Sequence, residues 1–350
     1  MPVKNTRFPR LLAGLAMVSA IALPAGAAQA DDFHSEFDKV FGKELRTPRE
    51  VQPTVRPFVA PVRPVTTYGG SLEATVASLA DAAQGRIGVA AMDLGTGRTV
   101  AVLGDQPFPM ASTSKIAIAA TYLDLVDQGK LALSDRFPLM IPQRSARFSS
   151  AAAPVRPGTM LTAQGLIELS ITRSDNPATD ALLAAVGGPA AVNRWMRKAG
   201  LSGMRLDRDI ATLVRDDGEF NPATTVDLRD SATPLAMVQL LAGLHQGRWL
   251  SASSRNVLLG AMERCVTGKR RLPAMLPQDA RVAHKTGTLS NTSSDVGIIN
   301  TPDGRAIAIA VYVTGQGGKP NRDYRIAAIS RAVYDGYLTE SSSLRRTASR

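Results

Sequence analysis

Apolar residues fall in short strand-like runs towards both ends of the core of the chain and recur at helical spacing between. Leu72, Val76 and Leu79 share one face and predict a helix over residues 71–84. Residues 86–103 are divided by Gly95-Thr96-Gly97, which predicts two strands joined by a tight turn. Residues 113–128 read as one long helix, and residues 134–275 as mostly helical with loops, including a helix over 162–173. Residues 294–300 and 305–314 alternate about Thr301-Pro302-Asp303-Gly304, the signature of a hairpin, and residues 321–338 close as a helix. Strands at both ends and helices between predict an α+β fold. Its antiparallel sheet is built from N- and C-terminal strands with flanking helices, and an all-helical lobe is inserted between them.

The flanks of this core, residues 71–338, have other patterns. Lys4, Arg7 and Arg10 precede an apolar run from Leu11 to Leu23, and Ala28-Gln29-Ala30 offers a small-x-small cleavage site before Asp31. These features predict a signal peptide over residues 1–30 and a periplasmic or secreted protein. The run is about thirteen residues, short of the roughly 20 that span a bilayer, so the mature chain is expected to have no transmembrane segment. Residues 31–70 form an arm. Phe33, Phe37, Val40 and Phe41 predict a short amphipathic helix, and Pro48, Pro53, Pro57, Pro61 and Pro64 an extended linker without helix or strand pattern. Residues 339–350 are polar and basic and are expected to be a disordered tail.

Composition narrows the chemistry. Of 350 residues, 44% are apolar and 20% charged, which excludes a wholly disordered chain. A single cysteine, Cys265, excludes an intramolecular disulfide and a cysteine-based zinc or iron–sulfur site. The three histidines, His34, His245 and His284, lack the spacing of a metal centre, so no metal and no cofactor is expected. Net charge is +11, or +8 without the leader. For an exported chain this suits an anionic envelope polymer or simple solubility better than nucleic acid.

Three short motifs carry the candidate chemistry. Ser112-Thr113-Ser114-Lys115 opens the long helix, and a three-residue offset puts Lys115 on the same face as Ser112, one turn on. An amine there can take the serine proton if its pKa is depressed, and the helix start offers N–H groups to an oxyanion. Ser174-Asp175-Asn176 follows a helix, and Lys285-Thr286-Gly287-Thr288 precedes the terminal hairpin. Taken singly these are an ordinary helix cap, an ordinary turn and an edge-strand lysine beside a glycine. All three in this order are the set that marks penicillin-recognising serine enzymes.

Over residues 71–338 the sequence resembles the class A β-lactamase family. Phe108-Pro109-Met110-Ala111-Ser112-Thr113 is similar to that family's approach to its nucleophile, and Ser170-Ile171-Thr172-Arg173-Ser174-Asp175-Asn176 to its second motif. Leu206-Asp207-Arg208 and Arg229-Asp230-Ser231-Ala232-Thr233-Pro234 resemble the ends of its omega loop. Val282-Ala283-His284-Lys285-Thr286-Gly287-Thr288 and Asp295-Val296-Gly297-Ile298 resemble its third motif and the next strand. The resemblance implies an acyl-enzyme on Ser112, with Lys115 in the proton network and Ser174 relaying a proton to the leaving nitrogen. It implies that Asn176 holds Lys115 and the substrate side chain, that Lys285 and Thr286 shape the field and bind the substrate carboxylate, and that Gly287 and Thr288 belong to the same substrate-binding strand. The N–H groups of Ser112 and Thr288 would form the oxyanion hole. Arg271 stands where some members place a carboxylate-binding arginine, or else is solvated within Lys269-Arg270-Arg271.

The omega loop departs from the pattern. The family's deacylating glutamate follows the loop's first arginine by two residues, and here that position is Ile210. The loop is about seven residues longer than usual. Counted back from Asp230, Asn221 takes the place of a water-holding asparagine and Asp217 that of the base. Three functions stay open on this reading. They are a slow β-lactamase, a D-alanyl-D-alanine carboxypeptidase-like acyl-transferase acting on cell-wall peptide, and a β-lactam-binding protein with little turnover. The protein is expected to be monomeric. Arg208 and Asp230 are expected to form an ion pair across the loop. Cys265 is expected to be a largely buried apolar residue without a role, on a helix over 258–265.

Overall fold

The computed structural model describes residues 55–57 and 70–348, with side chains over 70–339. The expected signal peptide and the amphipathic helix at Phe33–Phe41 lie outside the described residues. The centre is a five-stranded antiparallel sheet of β1 (Gly85–Asp93), β2 (Thr99–Val102), β3 (Arg281–Leu289), β4 (Thr292–Asn300) and β5 (Ala306–Gly315). They run in the order β3-β4-β5-β1-β2, so β1, from the first part of the core, pairs with β5, from the last. The expected α+β architecture is thus the observed one.

The sheet is covered on both faces, and the pleat sorts its residues accordingly. Ile307, Ile309, Val311 and Val313 of β5 join Ile87 and Val89 of β1 on one side. There they bury Leu72 and Val76 of α1 (Ser71–Leu79) and Ile326, Ile329 and Val333 of α9 (Lys319–Ala348). Ala308, Ala310, Tyr312 and Ala90 face the other way, into the core shared with the helical lobe. Small residues on this face let the lobe approach closely; a Cβ on Gly88 would lie 2.3 Å from the Phe108 ring.

The lobe is formed by α2 (Lys115–Asp127), α3 (Ala163–Thr172), α4 (Asn176–Ala185), α5 (Gly188–Lys198), α6 (Ile210–Arg215), α7 (Pro234–His245) and α8 (Ala252–Glu263). Residues 115–123 of α2 are all buried, as expected of a helix at the centre of a lobe rather than on its surface. Caps set the helix starts: the side chains of Thr162, Asp175 and Thr233 accept from Gly165, Ala178 and Ala236.

The structure corrects several expectations. The first helix ends at Leu79 rather than at residue 84, followed by Gly85 at φ 71°, a conformation suited to glycine. The lobe is not all helical: Arg136–Pro142 pairs with Val155–Thr162, and Pro138, Pro142 and Pro157 explain why this stretch avoids helix. Within the arm, Val55–Pro57 forms a strand antiparallel to Thr225–Asp227, where no strand was expected. The tail expected to be disordered instead continues α9 to Ala348. Among the described residues, no helix is long and apolar enough to cross a membrane.

Candidate active site

The site lies where α2, the turn before α4 and β3 converge. Ser112 is half-buried within the single 3-10 turn Ala111–Ser114 that leads into α2. Ala111, just before it, is at φ 48°, a left-handed conformation for a residue with a Cβ. Such conformations cost about 1–3 kcal/mol and persist where surrounding packing enforces them. Here Met110 N–H bonds to Asp230 O at 2.9 Å, and Thr113 Oγ1 donates to Met110 O at 2.8 Å. Gly287 brings β3 against the same turn: a Cβ there would lie 2.7 Å from Met110 O and 2.4 Å from Ser294 Oγ. A side chain at this position would push β3 away from the turn that carries Ser112.

Lys115 and Lys285 are both fully buried and converge on Ser174. Lys115 Nζ donates to Ser174 O and Asn176 Oδ1, each at 2.7 Å, to Asp175 O at 3.2 Å and to Ser174 Oγ at 3.4 Å. Lys285 Nζ donates to Ser174 Oγ at 2.9 Å and to Thr286 O at 2.9 Å. Ser174 is at φ 59°, a second left-handed residue, and this turn aims both its carbonyl and its hydroxyl at the amines. Burial and the charge of Lys285 hold Lys115 well below the ordinary lysine range, against the pull of Asp180 and Asp175. Burial brings Lys285 down to about 8, against Cys265 and Asp295. A neutral Lys115 keeps two N–H groups, enough for its two 2.7 Å contacts, and has a lone pair free for a proton.

Thr286 is buried, and its Oγ1 lies 2.7 Å from Thr267 Oγ1. Thr288 is exposed in the cleft, and its Oγ1 accepts from Arg271 at 2.7 Å. Arg271 is neither solvated nor free to bind a carboxylate directly. It is 2% exposed, and its guanidinium is engaged with Asp323, Gly287 O, Ser294 O and Thr288. It braces β3 from behind, because its buried charge finds its anion on α9.

The omega loop differs from both counts. Arg208 and Asp230 do pair, Nε to Oδ2 at 2.6 Å, with Asp230 also accepting the N–H groups of Asp207 and Arg208. Ile210 is buried at the start of α6. Asp217 stands beside the tip of the β3–β4 hairpin, where its oxygens accept the Ser290 N–H at 2.8 and 2.9 Å. Asn221 takes the Asn291 amide at 2.9 Å and caps its own turn through Ala223 N. Both side chains anchor the loop to the hairpin; neither is among the groups bonded to Lys115 or Ser174. The inserted residues form α6 and the turn after it, which carries Asp217 outward to the rim.

Sequence reasoning missed Asp180. It is buried, and its carboxylate accepts the Ile210 N–H at 2.7 Å and the Ala211 N–H at 2.8 Å. Burial and the charge of Asp209 push it up to about 7, against those bonds and Lys115. The signal was available: Asp180 follows Asn176 by one turn of α4 and so shares the face turned to Lys115. His284, buried on β3, was also missed as a partner of Asp295, 2.9 Å from its Nδ1.

Comparison with known proteins agrees with this geometry. The profile of the Beta-lactamase enzyme family matches residues 71–337. The chain is 33% identical over 278 residues to Beta-lactamase CTX-M-8 of Citrobacter amalonaticus, covering 78% of this chain and 92% of that one. It is 33% identical over 264 residues to the carbapenem-hydrolyzing beta-lactamase KPC of Klebsiella oxytoca, covering 72% and 84%. A beta-lactamase structure from Chitinophaga pinensis superposes with a TM-score of 0.67 at 32% identity, over 77% of this chain and 100% of that one. An ancestral class A beta-lactamase superposes with a TM-score of 0.66 at 38% identity, over 76% and 99%.

Proposed function

The chain belongs to the class A β-lactamase family, and from that premise we propose that it is an exported serine hydrolase that opens β-lactam rings through an acyl-enzyme on Ser112 and releases the acyl group slowly. The observation that carries the reading is the Ser174 hydroxyl set between two buried amines, 3.4 Å from Lys115 and 2.9 Å from Lys285. Neutral Lys115 takes the Ser112 proton as Oγ attacks the ring carbonyl. The N–H groups of Ser112 and Thr288 receive the developing oxyanion. The proton passes through Ser174, whose own O–H is free to donate because both lysines donate to its oxygen, and reaches the ring nitrogen as it leaves. Lys285, charged below about pH 8, and the hydroxyls at Thr286 and Thr288 hold the substrate carboxylate.

Slow release rests on the omega loop. Ile210 is apolar, and the Asp217 carboxylate is engaged by the Ser290 N–H at the rim. Asp180 has both oxygens on backbone N–H groups, which leaves it as a charge that tunes Lys115 rather than a base poised on water. The same features favour a second reading, a carboxypeptidase-like enzyme acting on cell-wall peptide. Stopped-flow hydrolysis of a chromogenic cephalosporin tests the proposal. A burst of about one equivalent of product per enzyme, then a slow linear phase, is expected. A linear trace without a burst contradicts slow release, and D-alanine freed from a pentapeptide faster than the cephalosporin turns over favours the second reading.

A further inference from the structure

β3 is the outer strand of the sheet, so one side of its main chain is open to a ligand. The two-residue turn Ser290-Asn291 makes Leu289 and Thr292 the closing pair of the hairpin. Hydrogen-bonded pairs alternate along an antiparallel ladder, so Leu289 and Gly287 bond to β4 while Thr288 and Ser290 turn their main-chain groups to the open side. A substrate amide can pair with the strand there, as an added strand would. That pairing stops at Ser290, whose N–H is taken by both oxygens of Asp217, at 2.8 and 2.9 Å.

The same omega-loop turn reaches the opposite rim of the cleft. Asp216 accepts the Phe148 N–H at 2.7 Å, and Arg215 donates to Ser149 O at 2.9 Å. Arg147 donates to Arg215 O at 3.2 Å and to Asp217 O. These partners lie in the loop that follows Arg136–Pro142, a strand packed on α4, the helix that Asn176 opens. Gly218, at φ 90°, is where the two rims meet: a Cβ there would lie 3.7 Å from Arg147 Nη2 and 3.8 Å from Ser290 Oγ. The largely buried Arg215–Asp216 ion pair, Nε to Oδ1 at 2.8 Å, fixes the turn in this position. Behind the turn is a cavity of about 60 Å³ lined by Pro109, Leu213, Phe220 and Leu289. A cavity that takes up a benzene ring measures about 150 Å³, so no ring can be received behind the turn.

We propose that the turn Asp216-Asp217-Gly218, by bridging Arg147 and Ser290, closes the cleft beyond Thr288, so that the enzyme is acylated by β-lactams with a compact acylamino side chain and excludes branched, bulky ones. The proposal rests on the acyl-enzyme reading above. A β-lactam carries its carboxylate and its acylamino group at opposite ends of the fused rings. With the carboxylate at Lys285 and Thr286 and the ring carbonyl at Ser112, the acylamino group points along β3 toward Ser290. Its amide pairs with the open main chain of Thr288, and the substituent beyond it meets the bridge. A small group stops short of Gly218. A branched one collides with main chain that is tied on both sides, and gains nothing from the cavity behind.

The test uses two cephalosporins with one nucleus, one bearing an acetyl side chain and the other a branched aminothiazolyl-oxime side chain. Mass spectrometry of the full chain gives the second-order rate of adduct formation on Ser112 for each. Wild type is expected to favour the acetyl compound by about a hundredfold, and Arg147→Ala/Asp217→Ala to reduce that preference at least about tenfold. General damage to the site would slow both compounds and leave their ratio in place. Equal rates for the two compounds in wild type, or an unchanged ratio in the double variant, overturn the proposal and leave the acyl-enzyme reading standing. No adduct from either compound overturns both. Should the double variant not fold, Arg147→Ala alone decides, because it removes an exposed side chain and leaves the loop's other anchors. Its ratio is expected to fall at least about threefold, and an unchanged ratio overturns the proposal.

Discussion

Asp180→Asn probes the electrostatics beneath the acylation machinery. The carboxyl is raised from 3.8 to about 7, roughly three units, and each unit corresponds to about 1.4 kcal/mol. Ionising this side chain in the folded protein therefore costs on the order of 4 kcal/mol more than ionising it in the unfolded chain. A raised carboxyl gives stability that is intact below about pH 4 and declines as pH rises through 7. Asparagine keeps the shape but accepts only one of the two N–H groups now held. That is a pH-independent cost of about 1–3 kcal/mol. Wild type should then exceed the variant at pH 4, and the order should narrow or reverse at pH 8, a change of about 4 kcal/mol across the range. Urea unfolding at both pH values measures this from the midpoints and slopes. A wild-type-to-variant difference that is the same at pH 4 and pH 8 would refute the reasoning. Loss of the negative neighbour also lowers Lys115 further, so the acidic limb of acylation by a penicillin should move to lower pH.

Three further outcomes are expected. Because Lys285 loses its proton near pH 8, KM for a carboxylate-bearing β-lactam should rise above that pH while kcat changes less; a KM flat to pH 10 would contradict its role as the substrate's cation. Asp230→Ala leaves Arg208 with only its longer contact to Asp227 at 3.9 Å and frees three donors now bonded to the carboxylate, and should cost about 3–5 kcal/mol in urea unfolding. Asp217→Asn should leave the lifetime of a penicillin adduct within about twofold, consistent with an anchor to Ser290; a much longer lifetime would restore Asp217 as the base.

That Ser112, Lys115, Ser174 and Lys285 belong to one region was legible because each lies in a short motif whose local geometry is fixed by spacing along one chain segment. The sheet was legible because Gly95-Thr96-Gly97 and Thr301-Pro302-Asp303-Gly304 mark two turns between short strand-like runs, although β4 and β5, covered on both faces, are buried along nearly their whole length rather than on one side. What escaped depends on contacts between distant segments. Cys265, expected buried on a helix, sits half-buried in a turn because α8 stops at Glu263, and that turn meets β3 through Thr267 and Thr286, a pairing neither neighbourhood announces. Arg271 reads as one of three basic residues in a row, yet its partner Asp323 is 52 residues away. Val55–Pro57 has the composition of a linker, and its strand exists through a partner, Thr225–Asp227, inside the omega loop. The inserted loop residues could be counted from either end. Folding of α6 decides the matter by placing Ile210 inside and Asp217 at the rim.

The most direct test of an acyl-enzyme that forms readily and empties slowly is time-resolved mass spectrometry of the protein mixed with a penicillin, followed by peptide mapping. The structure predicts a single adduct on Ser112, formed within seconds, persisting for minutes and absent from Ser112→Ala. An adduct on another residue, or one that forms on Ser112 and is gone within seconds, would contradict it.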